Sequence, residues 1–153
     1  MDALLFELLP YVRQGYNCSQ LLLVLAQRAA GEENPALLAS VRGLGHGIGQ
    51  SGGPCGLLSA GAVALTWLAS PVAEDPHPML DAMLNDYATW FMERMQDCGT
   101  SCDAIARSLA ASSGQSVETG SKPPMELCGE LLCECWAKIM EIGEAYQLER
   151  LGF

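Results

Sequence analysis

Residues 43–56 read GLGHGIGQSGGPCG, and an apolar stretch, LLSAGAVALTWLA, follows at residues 57–69. Seven of the residues in 43–56 are glycine, which adopts positive φ angles and lets other backbone approach closely. The apolar stretch predicts a buried helix over about residues 56–69. Its small side chains would let a neighbouring helix come near; they are Ser59, Ala60, Gly61, Ala62 and Ala64. A glycine-rich loop that leads into a buried helix is therefore the centre of the predicted fold.

Helical spacing of apolar residues continues through nearly the whole chain, and no segment sustains the period-two alternation of a strand. The sequence predicts an all-α fold, a single multi-helix domain over residues 1–153 with about six helices and the glycine-rich loop. The other predicted helices cover residues 2–13 with a break near Pro10, Cys18 to about Ala30 after the N-cap Asn17, Pro35 to about Leu44, about 78–97, Cys102 to about Ala111 and about 125–148. A polar loop is predicted at residues 112–124.

The charge balance excludes several classes of partner. The chain has 18 acidic and 8 basic residues and a net charge of −10. Without a basic patch it cannot neutralise nucleic-acid phosphates, and an anionic membrane surface is an equally unfavourable partner. Residues 57–69, the longest apolar run, are too short to span a bilayer. The acidic N-terminus lacks the basic region of a signal peptide, so we expect a cytoplasmic protein.

Seven cysteines are spread over every third of the sequence: Cys18, Cys55, Cys98, Cys102, Cys128, Cys133 and Cys135. Four thiolates gathered from distant segments would suit a soft metal or an iron–sulfur cluster, whereas oxidised cysteines could pair as disulfides. The odd number prevents complete pairing within the chain, and structural disulfides are rare in the cytoplasm. Any single cysteine could also serve as a small apolar core residue.

Four of the cysteines stand at predicted helix starts. Cys18 begins the second helix, Cys55 precedes the buried helix, Cys102 opens its own helix, and Cys128 lies in the first turn of the last helix. A helix N-terminus lowers the pKa of a thiol and favours the thiolate. Because the thiolate is both the metal ligand and the redox nucleophile, these four cysteines are the candidates for chemistry.

The remaining cysteines and the two histidines have other assignments. Cys133 and Cys135 lie within an apolar helix and are expected to pack in the core. Cys98 is close enough to Cys102 in the sequence to serve the same site. His46, between glycines, could be a ligand, a proton carrier or a loop residue, and His77, between prolines, is expected in a loop.

Several segments together resemble the C_GCAxxG_C_C family of redox-active proteins. They are Asn17-Cys-Ser-Gln, the glycine-rich run into Gly-Pro-Cys-Gly-x-x-x-x-Gly, and the single cysteines that open the last two helices. The resemblance covers roughly residues 10–145 and implies a small all-helical protein, related to a domain of split-Soret cytochrome c that is associated with an iron–sulfur cluster. The chain departs from the family motif at Gly61, one place late, and at His46, in a stretch that is usually glycine.

The resemblance places the four family cysteines at Cys18, Cys55, Cys102 and Cys128, with Cys133 as the alternative for the fourth position if a loop shifts the alignment. It implies a redox or electron-transfer protein in which these four residues hold an iron–sulfur cluster, and [2Fe–2S] is the expected type. Glycine backbone amides would then approach the sulfur atoms and tune the reduction potential. The glycines concerned are Gly47, Gly49, Gly52, Gly53 and Gly56.

Two other functions use the same cysteines. One is a thiol–disulfide redox protein or sensor without metal, and the other is structural zinc binding in a helical domain that binds a partner. No Cys-x-x-Cys occurs, which excludes zinc-ribbon and thioredoxin spacing, and no Cys-x-x-Cys-His is present for covalent haem attachment. The small-residue face at 59–64 and the apolar last helix suggest a homodimer, and the redox partner is left open.

Overall fold

The computed structural model describes residues 3–71, 75–118 and 125–153, and in these ranges the chain forms seven α-helices, two short 3-10 helices and no strand. The α-helices are α1 (Ala3–Arg13), α2 (Cys18–Ala30), α3 (Pro35–Ser40), α4 (Gly56–Leu68), α5 (Leu80–Arg94), α6 (Cys102–Ser112) and α7 (Met125–Ala145). The 3-10 helices cover Val41–Leu44 and Glu149–Leu151. The all-α prediction is confirmed. Residues 119–124 of the predicted polar loop lie outside the described residues.

Several helix boundaries differ from the prediction. The predicted break near Pro10 is wrong, because α1 continues through this residue to Arg13. Pro10 lies in the last turn of α1 and has no backbone N–H, so one hydrogen bond of the helix is missing. The carbonyl oxygen that would have accepted this bond belongs to Phe6, an exposed residue. The helix predicted from Pro35 to Leu44 changes to 3-10 geometry after Ser40. Helices α5 and α7 are both shorter than predicted.

Helix α2 lies at the centre of the fold. Its residues 18–27 are all buried, whichever face they lie on, as expected of a helix that is surrounded by other elements. Helix α2 packs most extensively against α4, and α7 contacts both of these helices. The buried polar side chain of Ser19 donates to the carbonyl oxygen of Gly56 over 3.3 Å, which ties the starts of α2 and α4 together.

The small-residue face of α4 is covered in part by α5 of the same chain. A Cβ atom at Gly61 would overlap the ring of Tyr87, so the two helices pack closely only because Gly61 has no side chain. The Tyr87 hydroxyl donates to the carbonyl oxygen of Leu57 over 2.7 Å. This face is therefore used inside the chain, and the homodimer stays a prediction.

Among the helices in the described ranges, none has the length and apolar character needed to cross a bilayer.

Candidate metal centre

The start of α2 is fixed by a reciprocal capping box. The side-chain oxygen of Asn17 accepts from the Gln20 amide over 3.2 Å, and the Gln20 side chain accepts from the Asn17 amide over 3.3 Å. The Asn17 side-chain nitrogen also donates to the carbonyl oxygen of Arg42 over 2.9 Å. These bonds hold Cys18, the first residue of α2, against the segment that leads into the glycine-rich loop.

The glycine-rich loop contains five consecutive residues with left-handed backbone. The φ angles from His46 to Gln50 are 55°, 74°, 66°, 57° and 65°. Two backbone bonds close the turn, from Gly52 N to His46 O over 3.0 Å and from Gly53 N to Gly47 O over 3.2 Å. The prediction of positive φ angles is confirmed for three of the loop glycines, Gly47, Gly49 and Gly52, and it extends to non-glycine residues that composition did not identify.

The end of the glycine-rich loop pairs with the start of α6. Pro54 and Ser101 form an isolated antiparallel bridge. On either side of it, the Cys55 amide donates to Thr100 O over 2.9 Å and the Cys102 amide donates to Gly53 O over 2.6 Å. This short pairing brings Cys55 and Cys102 together, although they begin different helices.

The four helix-start cysteines line one small cavity of about 10 Å³, which is room for about one water molecule. The other lining residues are His46, Leu57, Ile105 and Met125. Cys18, Cys55 and Cys102 are buried and Cys128 is half-buried. A Cβ atom at Gly56 would lie 3.0 Å from the Cys18 sulfur, so the start of α4 approaches that thiol closely. The structure thus gathers the four predicted site residues from four separate segments.

The apolar residues that line the cavity were not predicted from the sequence. Ile105 follows Cys102 by three residues on α6, and Met125 precedes Cys128 by three residues on α7. Residues three apart share a helix face, so helical spacing from each cysteine could have identified both. These side chains make part of the cavity lining apolar.

Burial dominates the electrostatics of the site. It raises the pKa of Cys55 to about 12, of Cys128 to about 12 and of Cys102 to about 11, with neighbouring thiols adding to the effect. Burial also raises the pKa of Cys18. The prediction that helix N-termini lower these pKa values is therefore wrong for the metal-free protein. The free-energy cost of removing a thiolate from water exceeds the stabilisation that the nearby amides provide.

Backbone amides nevertheless point at two of the sulfur atoms. Hydrogen bonds from the backbone of His46 and Ser19 lower the pKa of Cys18 against the larger effect of its burial. The amides of Leu57 and Leu58 act in the same way on the pKa of Cys55. Two of these donors belong to the first turn of α4, as expected of a residue at the N-cap position.

The five glycines predicted to approach the sulfur atoms have structural roles in the loop and at the start of α4. The amides of Gly49, Gly52 and Gly53 donate to carbonyl oxygens within the loop itself. Gly47 and Gly56 contribute by lacking a side chain, since a Cβ atom would overlap the Gly53 backbone at the first and crowd the Cys18 sulfur at the second. These glycines therefore shape the loop, and the predicted approach of their amides to the sulfur atoms of a cluster stays a prediction.

The remaining cysteines lie outside the cavity. The thiol of Cys98 contacts the carbonyl oxygen of Gly99 at 3.4 Å and does not line the site. Cys135 is fully buried in the core, as predicted, and Cys133 is half-buried at a groove between α1 and α7. All seven cysteines are free thiols. His77 accepts a hydrogen bond from the Met79 amide in the segment before α5, in agreement with a loop role.

The donor set suits a soft metal centre by its chemistry, since four thiols and one imidazole share a single cavity. Within residues 3–71, 75–118 and 125–153, no three His, Cys, Asp or Glu side chains stand at the spacing needed to hold one metal ion together. The thiols would have to approach a metal centre as they lose their protons.

Comparison with known proteins identifies the family. Residues 16–142 match the family described as "Putative redox-active protein (C_GCAxxG_C_C)", which covers most of the chain and includes all four cavity cysteines. The chain belongs to this family. No curated protein and no solved structure gives a significant match to it.

Proposed function

We propose that this protein is an electron-transfer protein that binds an iron–sulfur cluster, [2Fe–2S], through the thiolates of Cys18, Cys55, Cys102 and Cys128. The observation that supports the proposal most is the convergence of these four side chains on one cavity. Four cysteine thiolates are the usual ligand set of such clusters. A bound cluster would supply a site that accepts and releases single electrons.

The chain's own residues would hold and shield the centre. Leu57, Ile105 and Met125 limit water at the sulfur atoms, and the backbone amides directed at Cys18 and Cys55 would stabilise their negative charge. The hydrogen bonds between residues 53–55 and 100–102 hold Cys55 and Cys102 through the backbone, so these two positions do not depend on the metal.

Burial favours this function over thiol–disulfide exchange. An exchanging cysteine needs access to its partner and a substantial thiolate fraction near neutral pH. Three of the four cavity cysteines are buried, and burial raises the pKa of all four. These thiols are poor nucleophiles without a metal, whereas a metal would displace their protons.

The proposal is tested by purifying the protein without oxygen and measuring iron, acid-labile sulfide and visible absorption. A cluster protein contains iron and sulfide in equal amounts and absorbs in the visible range. Colourless protein that loses two protons reversibly on mild oxidation, seen by mass spectrometry, would support the thiol–disulfide function instead. Zinc without iron, with loss of fold on chelation, would support a structural metal site.

The cellular setting and the assembly state are part of the same proposal. Buried thiolates bound to iron persist in a reducing compartment, so we place the protein in the cytoplasm. A homodimer is tested by light scattering of the protein at several concentrations, where a mass independent of concentration and equal to one chain would exclude it.

A further inference from the structure

His46 is a polar side chain in a wall that is otherwise made of thiols and apolar groups. Of the described residues that line the cavity, it alone carries a side-chain N–H. The residue is 7% exposed, and its Nε2 atom is buried. An imidazole at this position therefore faces the same enclosed space as the four sulfur atoms.

The backbone of the loop selects which side chain enters the cavity. His46 has a φ angle of 55° and Ile48 one of 66°, both in the left-handed region that is unfavourable for residues with a Cβ atom. Ile48 is nevertheless 51% exposed, while His46 is buried. His46 and Ile48 share a backbone conformation, yet the polar imidazole is buried and the apolar isoleucine side chain is exposed. This is the reverse of what hydrophobicity alone would give.

His46 also reaches the site through its main chain. Its backbone forms a hydrogen bond to the Cys18 sulfur, and its carbonyl oxygen accepts from the Gly52 amide over 3.0 Å. The main chain of His46 is therefore held on both sides, next to the cavity that its ring lines.

We propose that the Nε2–H group of His46 donates a hydrogen bond to a sulfur atom of the iron–sulfur centre and raises its reduction potential. This inference rests on the proposed function. The four cysteines fill the four ligand positions of the cluster, so the imidazole acts on a sulfur atom and not as a ligand.

The physical basis is the change of charge on reduction. One electron from an external one-electron donor makes the centre more negative, and a hydrogen bond to sulfur stabilises that form more than the oxidised form. The apolar side chains around the cavity strengthen the effect, because a dipole acts more strongly in a medium of low polarity.

The test compares reconstituted wild-type protein with three variants in redox titrations against one-electron mediators. His46→Leu removes the N–H group but fills much of the space, and His46→Gln keeps a side-chain N–H. Ile48→Leu is the control, since it changes an exposed residue of the same left-handed run. We expect a lower reduction potential in His46→Leu, a potential close to wild type in His46→Gln, and no change in Ile48→Leu.

A second test of the His46 hydrogen bond uses only wild-type protein, so it does not depend on whether a variant folds. With ¹⁵N-labelled histidine, the dithionite-reduced centre should show a weak nitrogen coupling in pulsed electron paramagnetic resonance, of the size expected across a hydrogen bond. A strong coupling typical of a bound imidazole, or no coupling with an unchanged potential in His46→Leu, would overturn the inference while leaving the cluster in place. Wild-type protein without iron and sulfide would overturn the proposed function, and the inference with it.

Discussion

The backbone amide of Cys102 donates a hydrogen bond to the carbonyl oxygen of Gly53 over 2.6 Å, two residues before Cys55. The reciprocal bond from the Cys55 amide to Thr100 O completes a short antiparallel pairing. Two candidate ligands are therefore positioned by main-chain bonds that connect the glycine-rich loop to α6. The loop sets the geometry of this half of the site, and substitutions in the loop test that claim.

Gly47→Ala should disrupt the loop far more than Gly49→Ala. Both glycines have left-handed φ angles, so alanine costs about 1–2 kcal/mol of backbone strain at either position. A Cβ atom at Gly47 would also overlap the Gly53 backbone, whereas one at Gly49 meets nothing within 4 Å. Urea unfolding should show a further loss of about 1–3 kcal/mol for Gly47→Ala. Equal losses would contradict the packing described for the loop.

Asn17→Ala should destabilise the protein more than Asn34→Ala. Both asparagines cap helices, at α2 and α3, and the loss of a cap costs about 0.5–2 kcal/mol. Asn17 also bonds to Arg42 O and begins the central helix, while α3 has no buried residue. Thermal unfolding should therefore show a larger drop for Asn17→Ala. If α2 tolerates the change as well as α3 does, the capping box does not fix Cys18.

Tyr87→Phe should cost about 0.5–1.5 kcal/mol, because it removes the buried hydrogen bond to Leu57 O. Tyr146→Phe is the matched control, since its hydroxyl bonds to Asp86 at the surface, where we expect an effect within about 0.5 kcal/mol. Denaturant unfolding of both variants measures the difference. A negligible effect at Tyr87 would show that this bond does not stabilise the contact between α4 and α5.

The metal-free protein should lose stability at alkaline pH. The pKa of Cys102 is raised to about 11 and the pKa values of Cys55 and Cys128 to about 12, from an ordinary value of 9.0. Groups whose pKa is raised by folding contribute stability that is present below the unfolded value and is lost as pH rises through the folded value. The melting temperature should fall between about pH 9 and pH 12.

Cysteine variants identify the source of this pH dependence. Cys55→Ser should reduce the alkaline loss, whereas Cys98→Ser, which changes a thiol outside the cavity, should keep it in full. An identical pH profile in Cys55→Ser and the parent protein would assign the loss to other groups.

Much of the fold followed from local signals in the sequence. Asn17 as an N-cap predicted the start of α2, and the continuous apolar run after Gly56 predicted α4. Helix-start positions also identified the four cysteines that share the cavity. Each of these signals depends on residues within one or two helical turns, which is why composition and spacing were sufficient.

The features that depend on tertiary contacts were not predictable. The pairing of residues 53–55 with 100–102 joins segments distant in sequence, and no local pattern specifies it. The lowered thiol pKa values were predicted from helix termini alone, whereas burial in a cavity that α6 and α7 help to line raises them. The left-handed conformation of His46 and Ile48 likewise requires the loop as a whole, because both residues disfavour it individually.

The most direct test of the central claim is the iron and sulfide content of single cysteine-to-alanine variants reconstituted without oxygen. The parent protein should bind about two iron and two sulfide per chain. Cys18→Ala, Cys55→Ala, Cys102→Ala and Cys128→Ala should each lose most of the bound iron or change the spectrum of the centre. Cys98→Ala and Cys133→Ala, which alter thiols outside the cavity, should match the parent. Equal iron in all six variants, or none in the parent protein, would contradict a cluster held by the four cavity cysteines.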